Sequence, residues 1–179
     1  MIILGIDPGT IKTGIGVIRF EKDKAVLLFS ETLHLGSEKP IPERLKVLSE
    51  RIRFIIKQFS PESFAIETAF YGKNIQSALK IGYARGVSLL AAAEQNLTIA
   101  EYSPREVKKA VTGNGNAAKE QVQFMVNTIL GIKGEDIGLD ASDAIAIALC
   151  FAFRNPMQTN TPVRNWKQFV EQHPERIKK

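Results

Sequence analysis

The sequence is poor in the residues that hold a chain together from outside or build soft metal sites. There is one cysteine, Cys150, among 179 residues, so no intrachain disulfide can form, and a stapled secreted scaffold is excluded. Two histidines, His34 and His173, stand far apart without ligand spacing, which with the lone cysteine argues against zinc. Long apolar runs are also missing. The uncharged stretch Ala144–Phe153 is about half of the roughly 20 residues that cross a bilayer. Met1 leads directly into a strand-like run with no basic n-region or cleavage site, so no export signal is expected. These absences make a cytoplasmic protein with no membrane association the default.

What is present suits a folded domain. Hydrophobic residues are 44% and charged residues 24%, and a chain this long buries enough surface to need no staple. The net charge of +5 is unevenly placed. From Arg154 onward the balance is +4, leaving +1 for residues 1–153. A polyanionic partner is compatible with that basic end, but the charge alone does not specify one.

Periodicity places the elements. Ile2–Ile6, Thr13–Phe20 and Ala25–Leu35 read as strands, with a hairpin break at Lys22–Lys24. Leu45, Leu48, Ile52, Ile55, Ile56 and Phe59 form a helical stripe opened by Pro42. Phe64–Glu67 is a fourth strand, a helix runs from about Ser77 to Gln95, and Leu97–Tyr102 is a fifth strand. Ser103-Pro104-Arg105-Glu106 is a capping box with proline at the first helical position. A glycine-rich loop at 113–118 leads to a helix at Lys119–Leu130, and a last body helix spans about Asp140–Phe153. An antiparallel meander followed by strand–helix units predicts a mixed α/β sheet covered by helices.

Asp7 and Glu67 each close an apolar strand, where a carboxylate is costly to bury without a partner. Read singly, Asp7 caps the Pro8-Gly9 bend and Glu67 is an ordinary strand end. Asp140 and Asp143 share one face at a helix start, a position the helix dipole also favours for structural reasons. Ala141, Ala144, Ala146 and Ala148 allow that helix to approach a sheet closely. If the four acids converge, their repulsion requires a cation, and oxygen-only donors select Mg²⁺ or Mn²⁺.

These residues resemble the RuvC family of bacterial Holliday-junction resolvases. The resemblance is carried, in order, by Ile3-Leu4-Gly5-Ile6-Asp7-Pro8-Gly9, Thr13-Gly14, Gly16-Val17, Ile66-Glu67, Phe70 and Gly82 with Ala84-Arg85-Gly86. It continues through Tyr102-Ser103-Pro104, Val107-Lys108, Gly113-Asn114-Gly115, Ala118-Lys119 and Asp140-Ala141-Ser142-Asp143-Ala144. It covers residues 2–153. Thr68 stands where the family usually has glutamine, and Ser142 where it often has alanine; neither removes a presumed ligand.

The resemblance implies a ribonuclease-H-like, five-stranded nuclease domain over residues 1–155. It implies a homodimer that cuts four-way DNA junctions in recombination and repair, alongside a branch-migration helicase complex. Asp7, Glu67, Asp140 and Asp143 become the carboxylates for two Mg²⁺ ions per subunit, with Mn²⁺ as the alternative. Lys119, otherwise a helix-start lysine, becomes a phosphate contact beside the scissile bond. Phe70 becomes a stacking residue, with Tyr71 beside it. Lys73, Asn74, Arg85, Arg105, Lys108, Lys109 and Asn114 are candidate DNA contacts, each also readable as a solvated side chain. Ala78, Gly82 and Gly86 become a dimer interface, against an intrachain packing alternative. The basic tail 156–179, with a possible helix at 162–172, lies beyond the family pattern. Competing readings are an actin-like ATP-binding protein, for which the chain is too short, a silent junction-binding module, and a related nuclease acting on RNA or other branched DNA.

Overall fold

β-Branched and aromatic runs, separated by the helical stripes read above, give five strands and five helices in a computed structural model. It describes residues 1–68, 75–132 and 137–155. In chain order these are β1 (Ile2–Asp7), β2 (Lys12–Glu21), β3 (Lys24–His34), α1 (Ile41–Phe59), β4 (Ser63–Glu67) and α2 (Ile75–Ala93). Then follow β5 (Thr98–Tyr102), α3 (Pro104–Thr112), α4 (Lys119–Leu130) and α5 (Leu139–Arg154). The sheet order is β3-β2-β1-β4-β5. β1, β2 and β3 pair antiparallel, whereas β4 lies parallel to both β1 and β5. Lys22 and Asp23 both take positive φ, the geometry that lets a two-residue turn follow the twist of a hairpin.

Strand parity divides the core in two. Leu4, Ile6, Ile15, Val17, Phe64 and Ile66 point to the side covered by α1 and α2, where Leu48, Ile52, Ile55 and Ile56 fill the interface. Ile3, Ile18 and Ala65 point to the other side, against α5 with α3 and α4 outside it. Eleven residues of α5 are buried, so this helix is apolar nearly all round. Its close approach depends on glycine. Gly5 and Gly16 are ladder partners under α5, and a Cβ on Gly5 would lie 2.9 Å from the Ala148 nitrogen.

The expected capping box forms. Glu106 Oε2 accepts the Ser103 N–H at 2.9 Å while Ser103 Oγ accepts the Glu106 N–H at 3.3 Å. α2 begins two residues before the expected start, at Ile75. No helix among the described residues is long and apolar enough to cross a membrane. The expectations for Phe70, Tyr71, Lys73 and Asn74, and for the tail 156–179, lie outside the described residues.

Candidate active site

Asp7 and Glu67 meet because of register and parity. β1 and β4 are parallel neighbours whose last ladder pair is Ile6–Ile66, and each strand continues by one residue into its acid. Ala65 and Gly5 face α5, so two residues further along both carboxylates share that face. The turn after Asp7 is pinned by Thr13, fully buried, whose Oγ1 donates to the Gly9 carbonyl at 2.7 Å. The same oxygen accepts the Gly9 N–H at 3.3 Å.

α5 begins over this strand end, and α4 brings its first residue alongside. Lys119 Nζ donates to Asp143 Oδ2 at 2.8 Å. A cavity of about 220 Å³ is lined by Asp7, Glu67, Lys108, Lys119 and Asp143, with Pro104, Val107 and Val122 as its apolar wall. Desolvation, followed by the Asp143 charge, raises the Asp7 carboxyl to about 6. Burial, followed by the Asp7 and Asp143 charges, raises Glu67 to about 7. Lys119 moves upward too, chiefly through its hydrogen bond to Asp143. The three carboxyls of the cavity thus outnumber the two ammonium groups, Lys119 and Lys108, that face them.

The arrangement sorts the expected residues. Asp7, Glu67, Asp143, Lys119 and Lys108 come together. Asp140 is half-buried and acts on Asp7 and Lys119 by its charge, but it does not line the cavity. Lys109 is exposed on α3, outside the cavity lining. Asn114 is also exposed, and its Oδ1 accepts the Asn116 N–H at 3.0 Å within its own loop. Arg85, a candidate phosphate contact, pairs with Glu101 of β5. Among the described residues, no three His, Cys, Asp or Glu side chains stand close enough to enclose a metal ion by themselves. The acceptor-only donors and their mutual repulsion nonetheless suit a hard cation that retains water ligands.

On α2, Gly82 and Gly86 are exposed, and a Cβ on either would meet nothing within 4 Å among the described residues. Packing among the described residues therefore does not explain them. Leu79, Tyr83 and Leu90, each more than half exposed, flank them at helical spacing.

Comparison with known proteins gives a consistent result. A family model described as crossover junction endodeoxyribonuclease RuvC matches residues 3–151. A protein of that name from Chloroherpeton thalassium is 41% identical, with the alignment covering 100% of both chains. Its namesake from Salinibacter ruber is 40% identical over 99% of each. Among solved structures, Thermus thermophilus RuvC in complex with Holliday junction substrate is similar with a TM-score of 0.83 and 38% identity. That match covers 89% of this chain and 97% of the other. The yeast mitochondrial Holliday junction resolvase Ydc2, at 16% identity and a TM-score of 0.60, shares the fold; 84% of this chain and 78% of that one are covered.

Proposed function

Because the chain belongs to the RuvC family of crossover junction endodeoxyribonucleases, we propose that it resolves four-way DNA junctions by metal-dependent phosphodiester hydrolysis. The observation that carries this reading is the meeting of Asp7, Glu67 and Asp143 beside Lys119 in one cavity. Asp7, Glu67, Asp143 and, from outside the cavity lining, Asp140 would hold the cation; two Mg²⁺ per subunit suit such oxygen donors, with Mn²⁺ an alternative. Bound there, the divalent cations supply water activation and charge stabilisation at phosphorus and the leaving oxygen. The apolar wall of Pro104, Val107 and Val122 limits water on one side. Lys119, at the start of α4, offers an ammonium beside helix N–H groups and binds a phosphate oxygen near the scissile bond. Lys108 supports a neighbouring phosphate.

The nuclease body spans 1–155. Phe70 and Tyr71, which follow Glu67 in sequence, are assigned to stacking on a base at the junction centre, where stacking is sequence-tolerant. Lys73, Lys109 and Asn114 serve the DNA further out. The α2 stripe of Ala78, Gly82 and Gly86, with the exposed Leu79 and Tyr83, takes the same helix of a second copy. The two-fold pair then cuts two equivalent strands. Gly86→Leu should shift the sedimenting species from dimer to monomer; an unaltered dimer would move the interface elsewhere. A branch-migration helicase complex completes the expected partners.

Cleavage of a synthetic four-way junction beside a linear duplex tests the reading. Paired nicks in the junction with Mg²⁺, and none with EDTA, are expected. Duplex cut as fast as junction overturns it.

A further inference from the structure

The acids on α5, Asp140 in its first turn and Asp143 just beyond it, are useful only where the start of that helix holds them. Gly14 lies directly across the β1–β2 ladder from Asp7. A Cβ on Gly14 would overlap the Asp140 carbonyl oxygen and stand 2.7 Å from its carbonyl carbon. Both atoms are backbone, so no side-chain rotation could relieve the overlap. Gly5 and Gly16 also underlie α5, but their missing Cβ atoms face Ala144, Ala148 and Ile145, further along the helix. Among these three, only Gly14 touches a turn residue that carries an acid.

A second contact holds the same turn from the side. Gln123 lies one helical turn after Lys119 on α4, and its Nε2 donates to the Ile137 carbonyl at 2.7 Å. Ile137 is buried, three residues before Asp140. Lys119 and Gln123 therefore grip the start of α5 from one face of α4, the first through Asp143 and the second through backbone. Neither Gly14 nor Gln123 lines the acid cavity.

We propose that Gly14 and Gln123 are positioning residues that preset the separation between the α5 acids and Asp7, and thereby the affinity for the divalent cation. The proposal rests on the metal-dependent reading above. Gly14 sets the height of the α5 turn over β2, and Gln123 sets its lateral place against α4. Partners that orient metal ligands without touching the metal commonly change affinity by about 10–100-fold when removed.

Mn²⁺ binding to the full chain without DNA, followed by the paramagnetic resonance of free Mn²⁺, tests this apart from cleavage. Gln123→Ala and Gln123→Met should each weaken binding by about 10-fold with little change in melting temperature. Methionine keeps the length of glutamine but removes the donor, so an equal loss in both variants identifies the hydrogen bond. Gly14→Ala should weaken binding at least as much. If it does not fold, the Gln123 pair decides alone. Asp143→Asn is the reference. If it weakens Mn²⁺ binding while both Gln123 variants bind like the parent, positioning is overturned and the metal reading stands. If Asp143→Asn itself binds Mn²⁺ like the parent, the metal reading is what fails.

Discussion

The two ends of α5 handle charge in opposite ways. At its C-terminal end Arg154 pairs with Glu106 at 2.5 Å and lies over the Tyr102 ring, 5.6 Å from its centroid. Asn155 Nδ2 donates to the Tyr102 hydroxyl at 3.0 Å. The Arg154 and Ser103 hydrogen bonds hold the Glu106 carboxyl down near 2. At its N-terminal end the reverse holds. Burial and mutual repulsion push Asp7 and Glu67 up to about 6 and 7, with Lys119 as the cavity's ion-pair partner to Asp143. One end is electrostatically satisfied and ties α5 to α3. The other retains an excess that a bound cation would relieve, which makes it the proposed working end.

The sharpest way to break this contrast is to remove an acid from the working end. Asp143→Asn should lower junction cleavage on the order of 10³-fold, reflecting several kcal/mol of lost transition-state charge stabilisation. Junction binding measured by gel shift should persist. Parallel loss of both would make Asp143 a structural residue.

Next in size is a stability effect of unusual sign. The folded Asp7 and Glu67 carboxyls titrate above their ordinary values, so the unfolded chain releases those protons first. Without metal, their contribution to stability should fall as pH rises from about 4 to about 7, and stay low above that. Glu67→Gln should therefore stabilise the metal-free protein at pH 8, on the order of 1–2 kcal/mol by thermal melting. The gain should vanish near pH 4. A destabilised variant at pH 8 would mean the carboxylates are already satisfied.

The opposite end predicts the opposite profile. Glu106 titrates below its ordinary value, so its contribution is present above about 4.5 and is lost as pH falls towards 2. Arg154→Ala should lower the melting temperature slightly at pH 7, less so at pH 2–3, and leave cleavage untouched. Slower cleavage in this variant would join the two ends functionally.

The smallest effect concerns Ser142, between the two acids of α5. It is 1% exposed, and its Oγ has no hydrogen-bond partner among the described residues. Ser142→Ala should leave stability unchanged or raise it by up to about 1 kcal/mol in denaturant melts. A clear loss would reveal a bridging water.

The strands and helices were legible because each has a clean period and chemical ends, from the Lys22-Asp23 turn to the Ser103–Glu106 capping box. Asp7 and Glu67 were legible as strand-end acids, and parity explains why they share a face. The difference between Asp140 and Asp143 was not. A spacing of three puts both on one side of a helix, but Asp143 meets Lys119 of α4 and lines the cavity, whereas Asp140 does not. The pairing of Arg85 with Glu101 was not visible, because no local spacing links the two residues. Glu106 and Arg154, 48 residues apart, were hidden for the same reason. The glycines at 5, 14 and 16 were visible as a motif, but their job of seating α5 appears only once an alanine-rich helix lies on them.

The place of α5 at the end of the body has a consequence for biosynthesis. Chains emerge N-terminus first and fold as they lengthen. A product truncated before residue 139 would have every strand of the sheet but would leave Ile3, Ile18 and Ala65 bare on one side. It would also lack Asp140 and Asp143, half of the proposed ligand acids. Such products would carry an adhesive face and lack half of the proposed cleavage site.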